Sequence, residues 1–432
     1  MRRKTAEYLW KPVPQNKPSP CNRFKHACSV CRGFVYLYGG RSNSTLSDFW
    51  RYSMVSNEWE KLDCSEGPEE LEEHSMVAYQ GTLYVFGGMV DSAFTQLKSP
   101  LWMYDIDSAR WTECRHATGK IEIIAPANRK GHSAVVYSSS MYIYGGYFDL
   151  KGISQEFWAL RFDLGEWSQV PPLSCATGPG PRHGHSAVVH GTGMYLFGGL
   201  MGLSEQRDLW KWDFMSRKWS AIRTSQGPPK VVGHSSVVFQ DSMLTFGGGI
   251  SSSRPNSSLW KYHFSSQRWE KLASTTEVNL SSKRYHCILG VGVGFQQMPG
   301  FSSASPSIHW GPRGKEPQKL LAVSKQAFSN GNEIEMKTFS QPLELPGCCS
   351  IETPSEAEQS IWSKNEHLSH LISSKAQGLP EDIANRKGAD AQLVQPTSLA
   401  ATNGPDVLLL IGGKPWASLC EISLWQMELN SI

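Results

Sequence analysis

Histidine is the residue type whose spacing first suggests chemistry in this chain. Six histidines, each followed by small or apolar residues as in "HSAVV", recur at intervals of roughly fifty residues: His26, His74, His132, His185, His234 and His286. Metal ligands converge within about 2 Å of one ion, whereas equivalent positions of a repeated structure lie far apart. We therefore predict no metal site from these histidines, and instead a hydrogen bond that ties strand to loop in each repeat.

The cysteines and the short catalytic motifs give no further sign of an enzyme. Among ten cysteines, the one CxxC pair, Cys28 and Cys31, lacks the second pair that a zinc site of this kind requires. The sequence contains no nucleophile elbow, phosphate-binding loop or HExxH motif. We therefore predict that the protein is not an enzyme and binds no cofactor.

Charge and hydropathy restrict the class of partner. The formal net charge is +3 and no nucleic-acid module is present, so we predict no nucleic-acid partner. The N-terminal "MRRKTAEYLWKPVPQ" lacks the apolar segment of a secretion signal, and no apolar run approaches the length of a membrane span. We expect a cytoplasmic protein with free thiols, with the nucleus as a second location, and neither secretion nor membrane binding.

The elements that must position these residues repeat as units of four short strands. Each unit carries a glycine pair after an apolar strand, as in "VYLYGG" and "LYVFGG", and the pairs begin at Gly39, Gly87, Gly145, Gly198, Gly247 and Gly412. The strand that starts with histidine precedes each pair, and an aromatic strand such as "DFWRY" follows it. Four strands over roughly fifty residues are the size of a propeller blade.

Tryptophan marks the third and fourth strands of each unit. In five of the six units two tryptophans stand nine residues apart, which indicates a hairpin of constant length. The sixth unit ends before its second tryptophan, and "YLWKPV" near the N terminus matches the missing strand, so we predict that this strand closes the ring. The twelve structural tryptophans are Trp10, Trp50, Trp59, Trp102, Trp111, Trp158, Trp167, Trp210, Trp219, Trp260, Trp269 and Trp425.

These features resemble the kelch repeat, which is marked by the glycine pair, the aromatic strand and the downstream tryptophan. The resemblance covers residues 1–293 and 405–432. It implies an all-β fold, a six-bladed kelch β-propeller closed by its N-terminal strand. For function it implies a protein-binding scaffold. Two other tasks of kelch proteins are the alternatives: substrate receptor of a cullin-RING ubiquitin ligase, and copper radical oxidase.

A long insertion interrupts the sixth unit. Residues 294–404 fall between its first and second strands, are rich in Ser, Pro, Gln and Gly, and show no strand alternation. We therefore predict a disordered insertion. Within it, Ser355 and Glu358 form a capping-box pattern ahead of apolar residues on one helical face, which predicts a short helix near 355–375. This helix either docks into a partner's groove or forms transiently in a tether.

The resemblance also implies where a partner binds. Kelch domains that capture peptides use the loops after the glycine pairs and the loops before the first strands. By position these loops hold Arg41, Ser42, Asn43, Arg129, Lys130, Tyr147, Phe148, Arg182, Ser251, Arg254, Arg284, Lys414 and Trp416. Convergent basic residues with aromatic and hydroxyl neighbours suit an acidic peptide. The second blade departs from this pattern, because Glu72 and Glu73 occupy its loop.

A structural role is the alternative for the arginines that stand three residues before the repeated histidine. Arg23, Arg129 and Arg182 could pair with carboxylates of adjoining blades and only hold the ring together. Arg41 and Arg254 lie in irregular loops with no evident structural role, which makes them stronger candidates for binding. The expected partner is a protein or peptide, with cullin-RING components under the ligase alternative.

Overall fold

The computed structural model describes residues 7–90, 100–114, 125–148, 151–170, 178–249, 257–274, 280–295, 405–415 and 421–429. The regular secondary structure of these residues is β-strand, and they include no helix long and apolar enough to span a membrane. Contacts divide the chain into two units, Met1–His309 with Ala401–Ile432, and Trp310–Ala400. The predicted insertion at 294–404 and its helix near 355–375 lie outside the described residues, apart from Gly294 and Phe295.

Six antiparallel four-stranded sheets follow one another along the first unit, and within each sheet the first strand pairs with the second, the second with the third and the third with the fourth. Blade 1 consists of Ala27–Cys31, Phe34–Arg41, Thr45–Ser53 and Glu58–Leu62, and blade 2 of Ser75–Tyr79, Thr82–Phe86, Leu101–Asp105 and Arg110–Glu113. Blade 3 consists of Ser133–Tyr137, Ser140–Tyr144, Phe157–Arg161 and Glu166–Gln169, and blade 4 of Ser186–His190, Gly193–Phe197, Leu209–Asp213 and Lys218–Ile222. Blade 5 consists of Ser235–Phe239, Ser242–Phe246, Leu259–His263 and Arg268–Lys271, and blade 6 of Cys287–Val291, Val407–Ile411, Leu424–Glu428 and the N-terminal Lys11–Pro12.

The N-terminal segment closes the ring, as "YLWKPV" predicts. Lys11 pairs with Gln426 and Pro12 with Trp425, which makes this segment the fourth strand of blade 6. The preceding Trp10 is buried, with its ring 5.6 Å from that of Phe246 in blade 5. The first strands of successive blades contact one another in cyclic order, and the first strand of blade 6 contacts that of blade 1. The prediction of a six-bladed propeller is confirmed.

Short turns fix the register within blades 1 to 5. Arg32 and Gly33, between the first two strands of blade 1, both have positive φ, at 49° and 80°, as a two-residue type I′ hairpin requires. The turns between third and fourth strands hold one residue in the left-handed region, such as Asn57 or Ala109. This constant turn places Trp59 opposite Tyr52 and accounts for the nine-residue spacing of the tryptophans.

Aromatic side chains join each blade to the one before it. The fourth-strand tryptophan packs on the residue that precedes the glycine pair of the previous blade, with ring centroids 5.1–5.6 Å apart: Trp111 on Tyr38, Trp167 on Phe86, Trp219 on Tyr144, Trp269 on Phe197 and Trp10 on Phe246. Such pairs contribute about 0.5–1.5 kcal/mol beyond their area burial. The contact between blade 6 and blade 1, which we call the closing seam, departs from this rule. There Trp59 lies in a cluster with the aliphatic Ile411.

Short additional strands extend the blades. Tyr147–Phe148 pairs with Gly152–Ile153 after the glycine pair of blade 3, and Leu200–Met201 pairs with Ser204–Glu205 at the same place in blade 4. At the N terminus, Glu7–Tyr8 pairs in parallel with Ala273–Ser274, which follows blade 5. The N-terminal segment is therefore hydrogen-bonded next to blade 5 as well as within blade 6.

Candidate functional site

A closed ring of six backbone hydrogen bonds links the blades at the end where the glycine pairs lie, which we call the loop face. In every blade the residue before the repeated histidine donates its N–H to the carbonyl of its counterpart in the preceding blade, with N···O distances of 2.7–2.9 Å. The six residues are Lys25, Glu73, Gly131, Gly184, Gly233 and Tyr285, and their φ angles are all positive, at 53–68°. Because three of them are glycines, only Lys25, Glu73 and Tyr285 contribute side chains to this ring.

A second set of backbone pairs brings the two kinds of predicted loop together. The residue two before the histidine forms a β-bridge with the residue after the glycine pair in Phe24–Arg41, Lys130–Tyr147, His183–Leu200 and Arg284–Lys414. In blade 2 the N–H of Glu72 donates to the carbonyl of Gly88 at 3.0 Å. Arg41, Lys130, Tyr147, Arg284 and Lys414 therefore lie on one face, next to the ring.

The two glutamates of blade 2 occupy the centre of a charge network on this face. Arg41 Nε lies 2.5 Å from the carboxylate of Glu72, and the Nζ atoms of Lys25 and Lys130 lie 3.8 and 3.7 Å from it. Burial raises the pKa of Glu72, but the hydrogen bond from Arg41 and the surrounding cations outweigh burial and leave the pKa lowered. Lys25 also pairs with Glu73 at 2.5 Å. Glu72 therefore carries its charge at neutral pH.

A cluster of basic side chains at blades 1 and 6 overlaps this network, because Lys25 and Arg41 belong to both. We call it the basic crescent, and it consists of Lys25, Arg41, Arg284 and Lys414. Lys414 Nζ lies 3.9 Å from the ring of the buried Phe24, and Lys25 Nζ lies 5.7 Å from the ring of Tyr285. Burial lowers the pKa of Lys414, and the charges of the other three members lower it further. The positive charges of the crescent are close enough to repel one another, and a bound anion would relieve that repulsion.

Arg129 and Arg182, predicted as binding residues, are buried, with 1% and 0% of their surface exposed. Arg129 lies 2.6 Å from Glu156, and Arg182 pairs with both carboxylate oxygens of Asp208 at 2.8 and 2.9 Å. Arg23 pairs with Asp48 in the same way, at 2.5 and 2.8 Å. The structure therefore favours the structural alternative for these arginines.

The partners of these arginines differ from those predicted. Each acid belongs to the third strand of the arginine's own blade or directly precedes it, so the expectation of carboxylates from adjoining blades is wrong. The acid also accepts a hydrogen bond from the tryptophan two residues later, as Asp48 does from Trp50 Nε1 at 2.6 Å. The contact between blades is made instead by the backbone, where the N–H of Gly413 in blade 6 donates to the carbonyl of Arg23 at 2.8 Å.

The remaining predicted residues are distributed around the loop face. Asn43 is exposed and Ser42 half-buried in the loop after the glycine pair of blade 1, and Tyr147 has 38% of its surface exposed. The half-buried Phe148 stacks on Arg129, with Cζ 4.5 Å from its ring. Ser251, Arg254 and Trp416 lie outside the described residues.

Sequence reasoning missed Phe24 and Tyr285, which surround the basic crescent with aromatic surface. Phe24 lies between two basic residues in "RFKH", and Tyr285 lies between Arg284 and the repeated histidine in "KRYH". The positive φ of Tyr285, 53°, is the feature that takes it out of the strand, and positive φ is unusual for an aromatic residue.

Three of the repeated histidines form a side-chain hydrogen bond, but its partner is not the predicted one. The Nε2 atoms of His132, His185 and His234 lie 2.8–2.9 Å from a serine Oγ on the first strand of the preceding blade. The bond therefore joins two blades, not strand to loop. Neither ring nitrogen of His26, His74 or His286 has a nitrogen or oxygen partner among the described residues. For His74 the reason is plain, because Ala27 occupies the position of the serine.

A separate cleft of about 330 Å³ lies away from the loop face. It is lined by Lys17 and its neighbours in the N-terminal segment, by Ser56 and Glu58 at the hairpin between the third and fourth strands of blade 1, and by Phe34 at the start of the second strand. Because neighbouring strands are antiparallel, this hairpin lies at the opposite end of the blade from the glycine pair. None of the predicted binding residues lines the cleft.

Comparison with known proteins identifies relatives of the propeller. A family profile described as the KLHDC2/KLHL20/DRC7 Kelch-repeats domain matches residues 2–123 and 118–294. Kelch domain-containing protein 3 of Bos taurus is 31% identical over 191 residues, which are 42% of this chain and 50% of that protein. The Leucine-zipper-like transcriptional regulator 1 homolog of Drosophila melanogaster is 27% identical over 255 residues, 54% of this chain and 25% of that protein.

Host cell factor 2 of Homo sapiens is a third relative, 28% identical over 257 residues that make up 48% of this chain and 31% of that protein. The chain thus spans half or less of the length of these relatives. The profile match covers more than half of the chain, which is sufficient to assign a family.

Proposed function

The chain belongs to the kelch-repeat family, and on that premise we propose that its propeller is a non-enzymatic module that binds an acidic segment of a protein partner on the basic crescent. Kelch-repeat relatives suggest protein–protein interaction as the general role. The acidic chemistry of the partner rests on one observation, the crowding of Lys25, Arg284 and Lys414 around aromatic surface at blades 1 and 6.

The composition of the crescent suits carboxylates or phosphate esters of a peptide. Arginine forms two parallel hydrogen bonds with such groups, while the lysines add charge and the rings of Phe24 and Tyr285 add apolar contact area. Glu72 and Glu73 border the crescent at blade 2 and would repel an acidic segment there. We therefore expect the acidic part of the partner to lie over blades 6 and 1, with its remainder crossing toward Lys130 and Tyr147.

The test compares two double charge reversals in the full chain. Arg284→Glu with Lys414→Glu changes the crescent, and Lys218→Glu with Lys271→Glu makes the same change of net charge on exposed fourth-strand positions. Proximity labelling in cells should lose a set of neighbours with the crescent variant and keep it with the control. Synthetic acidic segments from the lost proteins should bind the purified wild-type chain, and their affinity should fall as salt is raised.

Equal neighbour sets for the two variants would contradict this proposal. The same experiment also tests the ligase alternative, in which the chain is a substrate receptor that assembles with cullin-RING components. For this purpose, proximity labelling is repeated with a form that lacks residues 296–404. Loss of cullin components with that form, while the crescent variant retains them, would support the receptor role. Retention in both forms would argue against it.

A further inference from the structure

Three side chains with metal-binding atoms converge at the closing seam. Within the part of the chain that the structure describes, the ligand atoms of His26, Cys28 and Cys287 lie within 4.8 Å of one another. Cys28 belongs to the first strand of blade 1 and Cys287 to the first strand of blade 6, so the cluster joins the two ends of the ring. His26 is buried, and both cysteines are half-buried free thiols.

At another seam the three equivalent positions hold a histidine and two serines, which are hydrogen-bonded to one another. Between blades 4 and 5, His234 Nε2 lies 2.9 Å from Ser186 Oγ, which lies 2.8 Å from Ser236 Oγ. His234 corresponds to His26, Ser186 to Cys287 and Ser236 to Cys28, because each holds the same place relative to the repeated histidine. The propeller scaffold therefore directs these three side chains toward one point, and the closing seam places sulfur at two of them.

We propose that the closing seam binds one thiophilic metal ion, with zinc as its representative, through His26, Cys28 and Cys287. Thiolate and imidazole are the ligands that zinc prefers, at about 2.3 Å for sulfur and about 2.0–2.1 Å for nitrogen. Sulfur atoms around a tetrahedral zinc ion lie about 3.8 Å apart at those lengths. A separation within 4.8 Å reaches this arrangement by small side-chain rotations. A water molecule or a backbone oxygen completes the coordination.

The position of the cluster gives the ion a structural task. Among the residues that the structure describes, the closing seam lacks the aromatic contact between tryptophan and tyrosine or phenylalanine that joins the other blades, since Trp59 lies there in a cluster with Ile411. An ion held by ligands from blades 1 and 6 cross-links residues that are far apart in sequence, since Cys287 and His26 are separated by 261 positions. Metal binding to the folded state alone stabilises it.

The experiment measures zinc bound to the full chain and to two variants. Cys28→Ser with Cys287→Ser reproduces at the closing seam the residues that blades 4 and 5 already carry, so this variant keeps a packing arrangement that the ring accommodates elsewhere. Ser186→Cys with Ser236→Cys is the converse change and builds a second set of two thiols and one imidazole. Zinc affinity is measured by competition with a chromophoric chelator under reducing conditions, and the sulfur–metal charge-transfer band is recorded with Co²⁺.

We expect one zinc ion per wild-type chain at this site, and two in the variant that carries the additional cysteines. The double serine variant should lose the Co²⁺ charge-transfer band, and its zinc affinity should fall by more than about 100-fold, since changes around metal ligands alone cost about 10–100-fold. Zinc should raise the unfolding temperature of the wild type and leave that of the serine variant unchanged. Equal zinc binding by both proteins, or an intact-mass measurement that finds the two thiols joined in a disulfide, would overturn the proposal.

Discussion

At the residue scale, the position three residues before the repeated histidine is filled in two ways in blades 1 to 5, by a buried arginine with an acidic partner or by an apolar residue. In blades 1, 3 and 4 a buried arginine pairs with an acid, and the acid also accepts from a tryptophan, as Asp208 does from Trp210 Nε1 at 2.6 Å. In blade 5 the corresponding positions hold the apolar Val231 and the small Ser258. A buried ion pair is weak evidence for stability, whereas a buried charge without its partner is strongly destabilising. The two halves of the pair are therefore expected to change together.

This reasoning predicts the behaviour of blade 4 when it is given the residues of blade 5. Asp208→Ser leaves the buried guanidinium of Arg182 without its carboxylate and should lower the free energy of unfolding by about 3 kcal/mol. Adding Arg182→Val to Asp208→Ser should restore most of that loss, because an apolar replacement of a buried ion pair is often neutral. Urea unfolding of the wild type and the two variants measures both values. A double variant that remained as unstable as Asp208→Ser would show that the ion pair contributes net stability.

Blade 6 places a lysine where the other blades have arginine or an apolar residue. Lys283 is 4% exposed, its Nζ donates to the carbonyl of Pro415, and Ser423 stands where blades 1, 3 and 4 have an acid. Burial lowers the pKa of Lys283 from 10.5 to about 8. Since the pKa in the folded state is below that in the unfolded state, its contribution to stability is complete above 10.5 and is lost as the pH falls toward 8.

Lys283→Met should therefore stabilise the protein at pH 7, by up to about 3 kcal/mol, because it removes a buried charge that folding disfavours. The gain should be smaller at pH 9.5, where the lysine is already mostly neutral in the folded protein. Exposed Lys271→Met in blade 5 serves as the control and should change little at either pH. A gain that is equal at both pH values would show that the charge of Lys283 is not its cause.

At the element scale, the N-terminal strand is short but occupies a position on which the ring depends. Its strand pairing extends over Lys11 and Pro12. We therefore expect most of the stabilisation of this strand to come from the burial of Trp10, which packs in a cluster shared by blades 5 and 6. Trp10→Ala should lower the free energy of unfolding by about 3–5 kcal/mol, the usual effect of truncating a buried aromatic residue. The neighbouring Lys11 is exposed, and Lys11→Ala should change stability by less than about 0.5 kcal/mol. Equal effects of the two substitutions in urea unfolding would show that the strand does not hold the ring.

The strands and their order could be predicted from the sequence because their signals are local and repeated. Glycine pairs, alternating apolar residues and paired tryptophans mark every blade, and the match of Trp10 to the fourth-strand tryptophans identifies the closing strand. Six copies reinforce one another, so an irregular copy such as blade 6, with its long insertion, is still recognised. The register of the hairpins follows from turns of constant length.

The candidate site is harder to predict, because the same residue type has different positions in different loops. Arg41 lies at the loop face, whereas Arg129 turns inward to Glu156, and nothing in either loop alone distinguishes them. The distinguishing signal lies 25–27 residues further along the chain, where an acid stands two residues before the third-strand tryptophan in those blades that carry the arginine. Blade 2, with Leu71 and Pro100, has neither member of the pair.

At the scale of the whole molecule, the repeated histidines tie stability to pH. His74, His132 and His286 have pKa values lowered by burial to about 3, His234 to about 4, and the pKa of His185 is lowered by the same cause. Each packs at a seam between blades, for example His132 on Phe86 with ring centroids 5.2 Å apart. Because these histidines recur around the ring, protonation weakens several seams at once.

The folded-state pKa of these histidines lies below their unfolded value of 6.5, so their contribution is complete above pH 6.5 and is lost as the pH falls toward 4. Each buried histidine should remove about 1.4 kcal/mol of stability per pH unit in that range. The free energy of unfolding measured in urea should therefore decline steeply between pH 7.5 and 5. This pH range lies above the one in which the paired carboxylates, whose pKa values are lowered, take up protons. In the variant His286→Gln the free energy of unfolding should fall less steeply with decreasing pH, by the slope that corresponds to one proton, because this position no longer takes up a proton on unfolding. A free energy of unfolding that stays constant from pH 7.5 to 5 would mean that the histidines accept protons within the folded ring, and that the seams tolerate the charge.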